Sequence, residues 1–404
     1  MHPPDLHAIA RQLIDHAQGG TTASDDRGPY RVPSSTYLDP ELFRLERTQI
    51  FSRAPQLICL SGEIENPGDY IAFDALPVPI LVLRDELGQA RAFLNSCRHR
   101  GAPVASGRGS GAKGFTCPYH AWRFGLSGEL LAVNAGETFG PVAREELGLI
   151  ELPCHEAAGL VFASPSLDAP FRLEESLGDL FPELAGYHLE RAELVRSGEF
   201  QVNANWKLSL DSFSEGYHFS SLHRDTLGLM TLSNVMTYDR FGPGGQHHRL
   251  GYPSKSILEL AGEPESEWAP ERHLGFVYFI YPNVSMLVAA DTVEVFRVYP
   301  GEEVGRQKTL YHLYRRTSVS TPEERRLAEE QFDYVYRVVE TEDFAITAQE
   351  QRAIESGQLP YLNFGRNEPA LIGLHECLRR AVGLEPAGEF SGPNPNASLD
   401  PMHR

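Results

Sequence analysis

Four residues in one short stretch combine two side chains that readily bind transition metals. Cys97 is followed by His99, and Cys117 is followed by His120. The full pattern is C-x-H, then seventeen residues, then C-x2-H. A thiolate and an imidazole side by side are typical of metal ligands. The sequence therefore predicts a metal centre held between two loops.

The mixed composition of each pair separates two kinds of metal centre. Zinc knuckles usually supply two ligands of the same type from each short motif, C-x2-4-C and then H-x3-5-H. Two mixed pairs can instead give both cysteines to one iron and both histidines to a second. That is the ligand set of a Rieske [2Fe–2S] cluster, in which histidines raise the reduction potential. We predict this cluster on Cys97, His99, Cys117 and His120, with structural zinc as the competing interpretation.

The residues around these ligands resemble a known family. The stretches NSCRHRGAPV (95–104) and FTCPYHAWRFGLSGEL (115–130) are similar to the α subunit of the Rieske non-haem iron, ring-hydroxylating oxygenases. The resemblance extends from about Tyr37 to the C-terminal helix. It implies a second metal centre in the same chain, a mononuclear Fe(II).

The resemblance assigns His218 and His223 to that iron. On a regular α-helix five residues turn by about 500°, so the two imidazoles would point about 140° apart. Both can reach one metal ion only where the helix bulges or breaks between them. We therefore expect a local distortion there. The alternative is that both are ordinary surface or core histidines.

A facial triad adds one carboxylate to two histidines and leaves positions open for O2 and substrate. The family takes this carboxylate from a C-terminal helix, and residues 338–359 match that region, with Asp343 as the ligand. Asp343 lies one turn beyond Val339 on an apolar stripe, so its carboxylate should face inward, where a charge is costly unless paired or metal-bound. Helical phase alone separates Asp343 only weakly from Glu342, which stays the alternative.

The resemblance also implies an electron path between subunits. Glu215 precedes His218 by three residues, so both lie on one helix face. The family usually has Asp here, bridging the iron histidine and a Rieske histidine of a neighbouring chain. The implied path is His218, Glu215 and His120 of the partner subunit, with a longer arm than usual. Asp211, at the position of another family acid, is expected to position His218 or a nearby partner.

The elements that must position these residues fall into three regions. Residues 1–50 carry helical patterns expected to pack on the catalytic domain. Residues 51–165 are short β-type runs separated by turn residues, as in a small all-β domain. Residues 166–404 contain longer strands and helices, with N-caps at Asn205 and Thr321. The predicted fold class is α+β: an N-terminal all-β Rieske domain and, as the resemblance implies, a helix-grip (START-like) catalytic domain with an antiparallel sheet and long helices.

Charge and hydropathy exclude several classes of partner. The chain has 36 basic and 55 acidic residues, a net charge of -19. Such a surface should repel nucleic acid and anionic lipid. No secretory signal and no apolar run long enough to span a bilayer is visible. We expect a cytoplasmic protein with no nucleic-acid or membrane partner.

The predicted function is the terminal oxygenase component of a Rieske system. It would hydroxylate a small, aromatic substrate with O2, by mono- or dioxygenation. One alternative is an oxygenase or demethylase of a quaternary ammonium compound, betaine- or carnitine-like. An alternative of a different class is a Rieske electron carrier without oxygenase activity.

The resemblance also implies partners and a substrate pocket. The chain has no dinucleotide fingerprint, so a separate reductase, with or without a ferredoxin, would supply electrons from NAD(P)H. A homotrimer or a multiple of it is expected, and a β subunit is compatible with the sequence. The candidate pocket wall comprises Phe213, Phe219, Leu222, Met230 and residues of the strands within 276–296.

Overall fold

The structure, a computed structural model, describes residues 5–390. The two ends of the chain, within the first and last predicted domains, lie outside the described residues. None of the helices in the described part combines the length and apolar character that a membrane span requires. The helices in chain order are α1 (Leu6–Gly19), α2 (Pro40–Leu45), α3 (Gly136–Phe139), α4 (Leu173–Leu177), α5 (Phe181–Ala185), α6 (Trp206–Phe213), α7 (Ile257–Leu260), α8 (Pro322–Val338), α9 (Phe344–Glu355) and α10 (Pro369–Ala381).

Strands occupy both halves of the chain, and those of the second half are longer. In chain order they are β1 (Tyr30–Pro33), β2 (Gln56–Leu60), β3 (Tyr70–Phe73), β4 (Ile80–Arg84), β5 (Ala90–Leu94), β6 (Arg108–Gly109), β7 (Phe115–Thr116), β8 (Arg123–Phe124), β9 (Leu130–Ala132), β10 (Glu151–Leu152), β11 (Cys154–Ala157), β12 (Leu160–Ala163), β13 (Glu193–Val202), β14 (Thr237–Phe241), β15 (His247–Pro253), β16 (Leu274–Ile280), β17 (Val284–Ala289), β18 (Thr292–Pro300), β19 (Gln307–Arg315), β20 (Tyr361–Phe364) and β21 (Glu389–Phe390).

The strands β2 to β12 form three small sheets. A five-stranded sheet has the order β10-β5-β4-β3-β6, and two three-stranded sheets have the orders β11-β12-β2 and β7-β8-β9. One hydrophobic cluster joins the first and last of these sheets and contains Cys97 and Cys117 together with Phe93, Trp122 and Phe124. The predicted cluster ligands therefore lie on loops that a packed core holds in place.

The second half is built on one antiparallel sheet of seven strands, in the order β13-β19-β18-β17-β16-β15-β14. Helices α8 and α9 cover it, with Phe332 stacked on Tyr311 of β19 and Phe344 against Phe200 of β13. The predicted fold class is confirmed. The predicted domain limits at residues 50 and 165 stay predictions.

The start signals of two helices are those that the sequence indicated. Asn205 accepts a hydrogen bond from the Lys207 N–H at the start of α6. Thr321 and Glu324 form a capping box at the start of α8. Between α8 and α9 the chain stays helical through a π-helical turn, Val339–Asp343. A π-turn adds a residue per turn, so it shifts the face that the following side chains occupy.

The N-terminal region and the first half both pack on the large sheet. Helix α1 buries Ile9 and Leu13 in the same hydrophobic cluster as Leu274 and Phe276 of β16. Arg297 of β18 donates to backbone carbonyls of β2. The two halves of the chain thus share their interior, which fixes the large sheet relative to the small ones.

A buried ion pair ties the segment after α2 to helix α6. Lys207 Nζ donates to Glu46 Oε1 over 2.6 Å, and Trp206 Nε1 donates to Glu46 Oε2 over 2.9 Å. The side chains of Lys207 and Glu46 are only 2% and 3% exposed. Removing one partner of such a pair leaves a buried charge without compensation.

We predict that Lys207→Met lowers the free energy of unfolding by about 3–5 kcal/mol, because Glu46 loses its buried counter-charge. The matched control is Arg326→Met, which breaks a solvent-exposed pair with Glu323 and should cost less than about 1 kcal/mol. Urea denaturation followed by tryptophan fluorescence measures both variants. Equal losses in the two variants would contradict this account of the pair.

Candidate metal centres and the cavity beside them

Two tight turns present the cysteine and histidine pairs. The Cys97 N–H donates to the Ala102 carbonyl over 2.7 Å, and the Cys117 N–H donates to the Trp122 carbonyl over 2.8 Å. Gly101, within the first turn, has a φ of 82°, a conformation that costs glycine nothing. The two loops therefore have matching hydrogen bonds and face each other.

The side chains of the two loops are arranged by type. The side chains of Cys97 and Cys117 are buried in the same hydrophobic cluster. The rings of His99 and His120 are 4.6 Å apart between centroids. His99 also stacks on Trp122, and its buried Nδ1 has no hydrogen-bond partner among the described residues. Paired thiols beside paired imidazoles, one with an orphaned nitrogen, fit a [2Fe–2S] cluster of the Rieske type.

The second group of predicted ligands lies after helix α6. That helix ends at Phe213, and His218 lies in a short 3₁₀ turn, Tyr217–Ser220. His223 follows in a further turn, where its carbonyl accepts from the Thr226 N–H. The regular helix therefore breaks before His218 rather than between the two histidines. Because the helix breaks here, both imidazoles can point toward one common metal position.

Asp343, at the end of the π-helical turn, completes a compact group with the two histidines. Its Oδ1 lies 3.3 Å from His223 Nε2 and 3.7 Å from His218 Nε2. One nitrogen of each ring and one carboxylate oxygen all lie within 4.8 Å of one another. His223 and Asp343 are buried, and His218 is partly buried. Two imidazoles and one carboxylate are the donor set of a mononuclear non-haem iron site.

The outer nitrogen of each imidazole has a glutamate partner. His218 Nδ1 pairs with Glu215, and His223 Nδ1 pairs with Glu342 Oε2 over 2.6 Å. Thr226 Oγ1 also donates to Glu342 over 2.8 Å. Carboxylates at Nδ1 fix the ring and leave Nε2 free as a ligand. Of the two acids that helical phase could not separate, Asp343 faces the Nε2 atoms and Glu342 faces Nδ1.

Charge in this group favours a bound cation. Burial disfavours the protonated form of His223, but Asp343 and Glu342 outweigh that effect and raise the pKa of the imidazole. A group that attracts a proton this way also attracts a metal ion, which competes with the proton for the same nitrogen.

Asp211 lies near this group without touching His218. Its carboxylate accepts from the Tyr37 hydroxyl over 2.7 Å and from His375 Nε2 over 2.9 Å. These are its hydrogen bonds among the described residues. Asp211 therefore anchors the α6 helix to two other buried segments.

Two cavities meet the group from different sides. One, of about 160 Å³, has a mainly apolar wall that includes Phe213 and Phe219. The other, of about 270 Å³, includes Leu222 and Asp211. Glu215, His218 and Asp343 border both. Met230 is in neither wall: its side chain is 58% exposed, because the turn that ends there lies at the surface.

Sequence reasoning missed Tyr252 altogether and missed the role of Glu342. Tyr252 of β15 lines the smaller cavity, and Glu342 holds His223. The strand β15 is buried along its whole length, so its pattern does not indicate which face borders a cavity. Glu342 was considered only as a rival ligand, since its pairing with His223 depends on the π-turn.

Two family models match the chain. The Rieske [2Fe–2S] domain matches residues 54–144, and the catalytic domain of the ring-hydroxylating α subunit matches residues 187–384. The chain belongs to the Rieske non-haem iron oxygenase family, as an α subunit. Membership implies a Rieske [2Fe–2S] cluster and a mononuclear iron, and the donor sets described above fit both.

Relatives within the family act on different compounds. The chain is 33% identical over 223 residues to the anthranilate 1,2-dioxygenase large subunit of Acinetobacter baylyi, covering 53% of this chain and 47% of the relative. It is 32% identical over 216 residues to the glycine betaine monooxygenase oxygenase subunit of Chromohalobacter salexigens, covering 53% and 46%. The chain thus spans about half the length of the curated relatives it matches.

Solved structures of the family share the fold. A quaternary ammonium Rieske monooxygenase in complex with L-carnitine superposes with a TM-score of 0.73 at 19% identity, covering 94% of this chain and 99% of that one. Naphthalene 1,2-dioxygenase with bound indole gives 0.67 at 21% identity, covering 87% and 92%. At these identities the likeness shows the common architecture.

We predict that Glu342→Gln lowers the affinity of the chain for Fe(II) by about 10–100-fold, because His223 loses its anionic partner. Asp343→Asn should empty the site. The matched control is Glu340→Gln, an exposed acid on the same π-turn, which should bind iron as the parent does. Titration of the apo protein with Fe(II) measures all three. If Glu342→Gln emptied the site while Asp343→Asn kept it, the two acids would have to exchange roles.

Proposed function

We propose that the chain is the terminal oxygenase component of a multicomponent Rieske system that hydroxylates a small organic substrate with O2. The observation that carries the proposal is the convergence of His218, His223 and Asp343 within 4.8 Å at the edge of a mainly apolar cavity. When bound, the two metal centres supply electron transfer and O2 activation. A pure electron carrier has no use for this second donor set.

The roles of the residues follow from their positions. Cys97, His99, Cys117 and His120 would hold the cluster, and His218, His223 and Asp343 would hold the mononuclear iron. Glu215 and Glu342 hold the two imidazoles by their outer nitrogens. The apolar wall beside the triad excludes water from the place where the substrate is held.

The electron path would run between chains. Glu215 already contacts His218 and also borders the outer cavity, together with Glu350 and Glu368. Burial, and then the charge of neighbouring acids, raises the pKa of Glu350 and of Glu368 to about 7. An acid-rich opening is complementary to the loop of His120, which carries Arg98 and Arg100. This supports contact of Glu215 with His120 of the partner subunit.

The proposal extends to the assembly and its partners. Contact of one chain's cluster with the next chain's iron implies a closed ring, for which a homotrimer or a multiple of it is the proposed form. A β subunit is compatible with it. A separate reductase, with or without a ferredoxin, would supply the electrons. The proposed site of action is the cytoplasm, without nucleic-acid or membrane partners.

We predict about three irons per chain, two in a Rieske cluster and one ferrous ion at the triad. O2 consumption should rise with a suitable compound in a panel of small aromatic and quaternary ammonium compounds. Metal analysis together with the Rieske absorption spectrum measures the iron content, and an oxygen electrode measures O2 consumption. Two irons per chain without a ferrous signal would support the electron carrier instead.

At saturating Fe(II), Glu215→Gln should keep both metal centres filled yet abolish substrate-coupled O2 consumption, because the neutral amide no longer attracts a positively charged neighbour. Asp225→Asn, which removes an exposed acid two residues after His223, is the control and should keep full activity. Iron content, the Rieske spectrum and O2 uptake are measured on the same samples. Coupled turnover in Glu215→Gln would refute the bridge and leave the oxygenase assignment standing.

A further inference from the structure

The smaller cavity contains an acid that neither metal centre uses. Glu294 of β18 is one of its lining residues, although its side chain is almost completely buried. Phe296, two residues further along the same strand, lines the cavity as well, and the rings of Phe213 and Phe219 belong to the same wall. An ionisable group therefore stands in a wall that is otherwise mainly aromatic and aliphatic.

Glu294 has no counter-charge within the described part of the chain. Its hydrogen-bond partner is Gln331 of α8, whose Nε2 donates over 3.3 Å. Tyr311 of β19 also lies beside it, and burial together with this carboxylate raises the pKa of the phenol. Burial raises the pKa of Glu294 itself to about 7. A buried carboxylate without a cation is costly, so its presence in this wall requires a reason.

A second polar group in the wall lacks a hydrogen-bond partner. The Tyr252 hydroxyl is buried and makes no hydrogen bond among the described residues. Its ring lines the cavity next to Phe219, with 5.3 Å between ring centroids. Buried hydroxyls normally have partners. This hydroxyl is therefore available to a molecule that enters the cavity.

The side chains of the cavity wall offer no positive counter-charge to an anion. Among the lining residues that the structure describes there is no lysine and no arginine, and the acids are Glu215, Glu294 and Asp343. The histidines of the wall, His218 and His223, are already engaged with carboxylates. Away from the metal ion that the triad would hold, a substrate carboxylate would meet like charge without compensation.

We infer that the substrate carries a cationic nitrogen, a protonated amine or a quaternary ammonium group, on a small apolar body without a carboxylate. Its charge would lie against Glu294 and over the aromatic rings of the wall, and its body would fill the remainder of the cavity. Aromatic faces attract such cations. A neutral hydrocarbon would leave Glu294 unpaired. The inference rests on the proposed function, because it takes this cavity as the substrate site.

The test compares two probes of the same shape, phenyltrimethylammonium and tert-butylbenzene. The first has a positively charged nitrogen at the position where the second has a neutral carbon. Dissociation constants are measured on the metal-loaded protein at pH 8, where the Glu294 carboxyl, with a pKa of about 7, is ionised. The cation should bind about tenfold or more tightly than the hydrocarbon. Benzylamine, tested in parallel, separates a protonated amine from a quaternary ammonium group as the preferred form.

The variant Glu294→Gln keeps the size of the side chain and removes its charge. It should lose the preference for the cation by about tenfold while binding tert-butylbenzene as before. Glu340→Gln, exposed and outside the cavity, is the control and should keep the preference. Rieske absorption and melting temperature show whether the variant folds. If it does not, the comparison of the two probes on the parent protein still tests the inference.

Equal affinities of the two probes for the parent, or an unchanged preference in Glu294→Gln, would overturn the inference. Failure of the proposed function has a different signature. In that case the triad would bind no iron and no compound would stimulate O2 uptake, while the comparison of the two probes would still be readable. Turnover of a neutral aromatic compound with no response to cations would keep the oxygenase and remove the cationic substrate.

Discussion

A buried carboxylate between two imidazoles is the interaction on which the catalytic half of the chain depends. Asp343 faces His218 Nε2 and His223 Nε2, and regular helices could not bring the three side chains together. The α6 helix therefore ends before His218, and the helix that carries Asp343 contains a π-turn. Both irregularities cost regular hydrogen bonds, which a bound metal ion can offset.

The outer partners of the triad extend this constraint into two cavities. Glu342 fixes His223 on the buried side, and Glu215 fixes His218 at the border of the acid-rich opening. On the other side the triad meets the apolar wall with Glu294. One group of ligands thus lies between an acid-rich opening and a mainly apolar cavity.

The sequence predicted the parts of the site that depend on local spacing. Cys97, His99, Cys117 and His120 lie on two short loops, so their spacing nearly determines their geometry. Strand and helix patterns indicated the division of the chain, and the family resemblance implied the antiparallel sheet of its second half. Asp343 and Glu342 could not be separated by phase, because the π-turn changes the phase there.

The individual residues of the substrate wall were beyond such reasoning, although the strands within 276–296 were predicted to contribute to it. It is assembled from residues of α6, of the four strands β15 to β18 and of α8. No single segment shows which of its buried side chains border a cavity. Phe213 and Phe219 were placed there, since they flank the histidines. Met230, close in sequence, is at the surface instead. Glu294 carries no signal in its own strand, where nearly every residue is buried.

The central claim is that one chain holds two separate iron centres on the residues named. Anomalous diffraction at the iron edge, from crystals of the metal-loaded protein, tests it most directly. The account predicts a pair of iron peaks between the two loops and a single peak about 2.0–2.2 Å from His218 Nε2, His223 Nε2 and an Asp343 oxygen. A single metal with a zinc edge at the loops, or no peak at the triad, would contradict it.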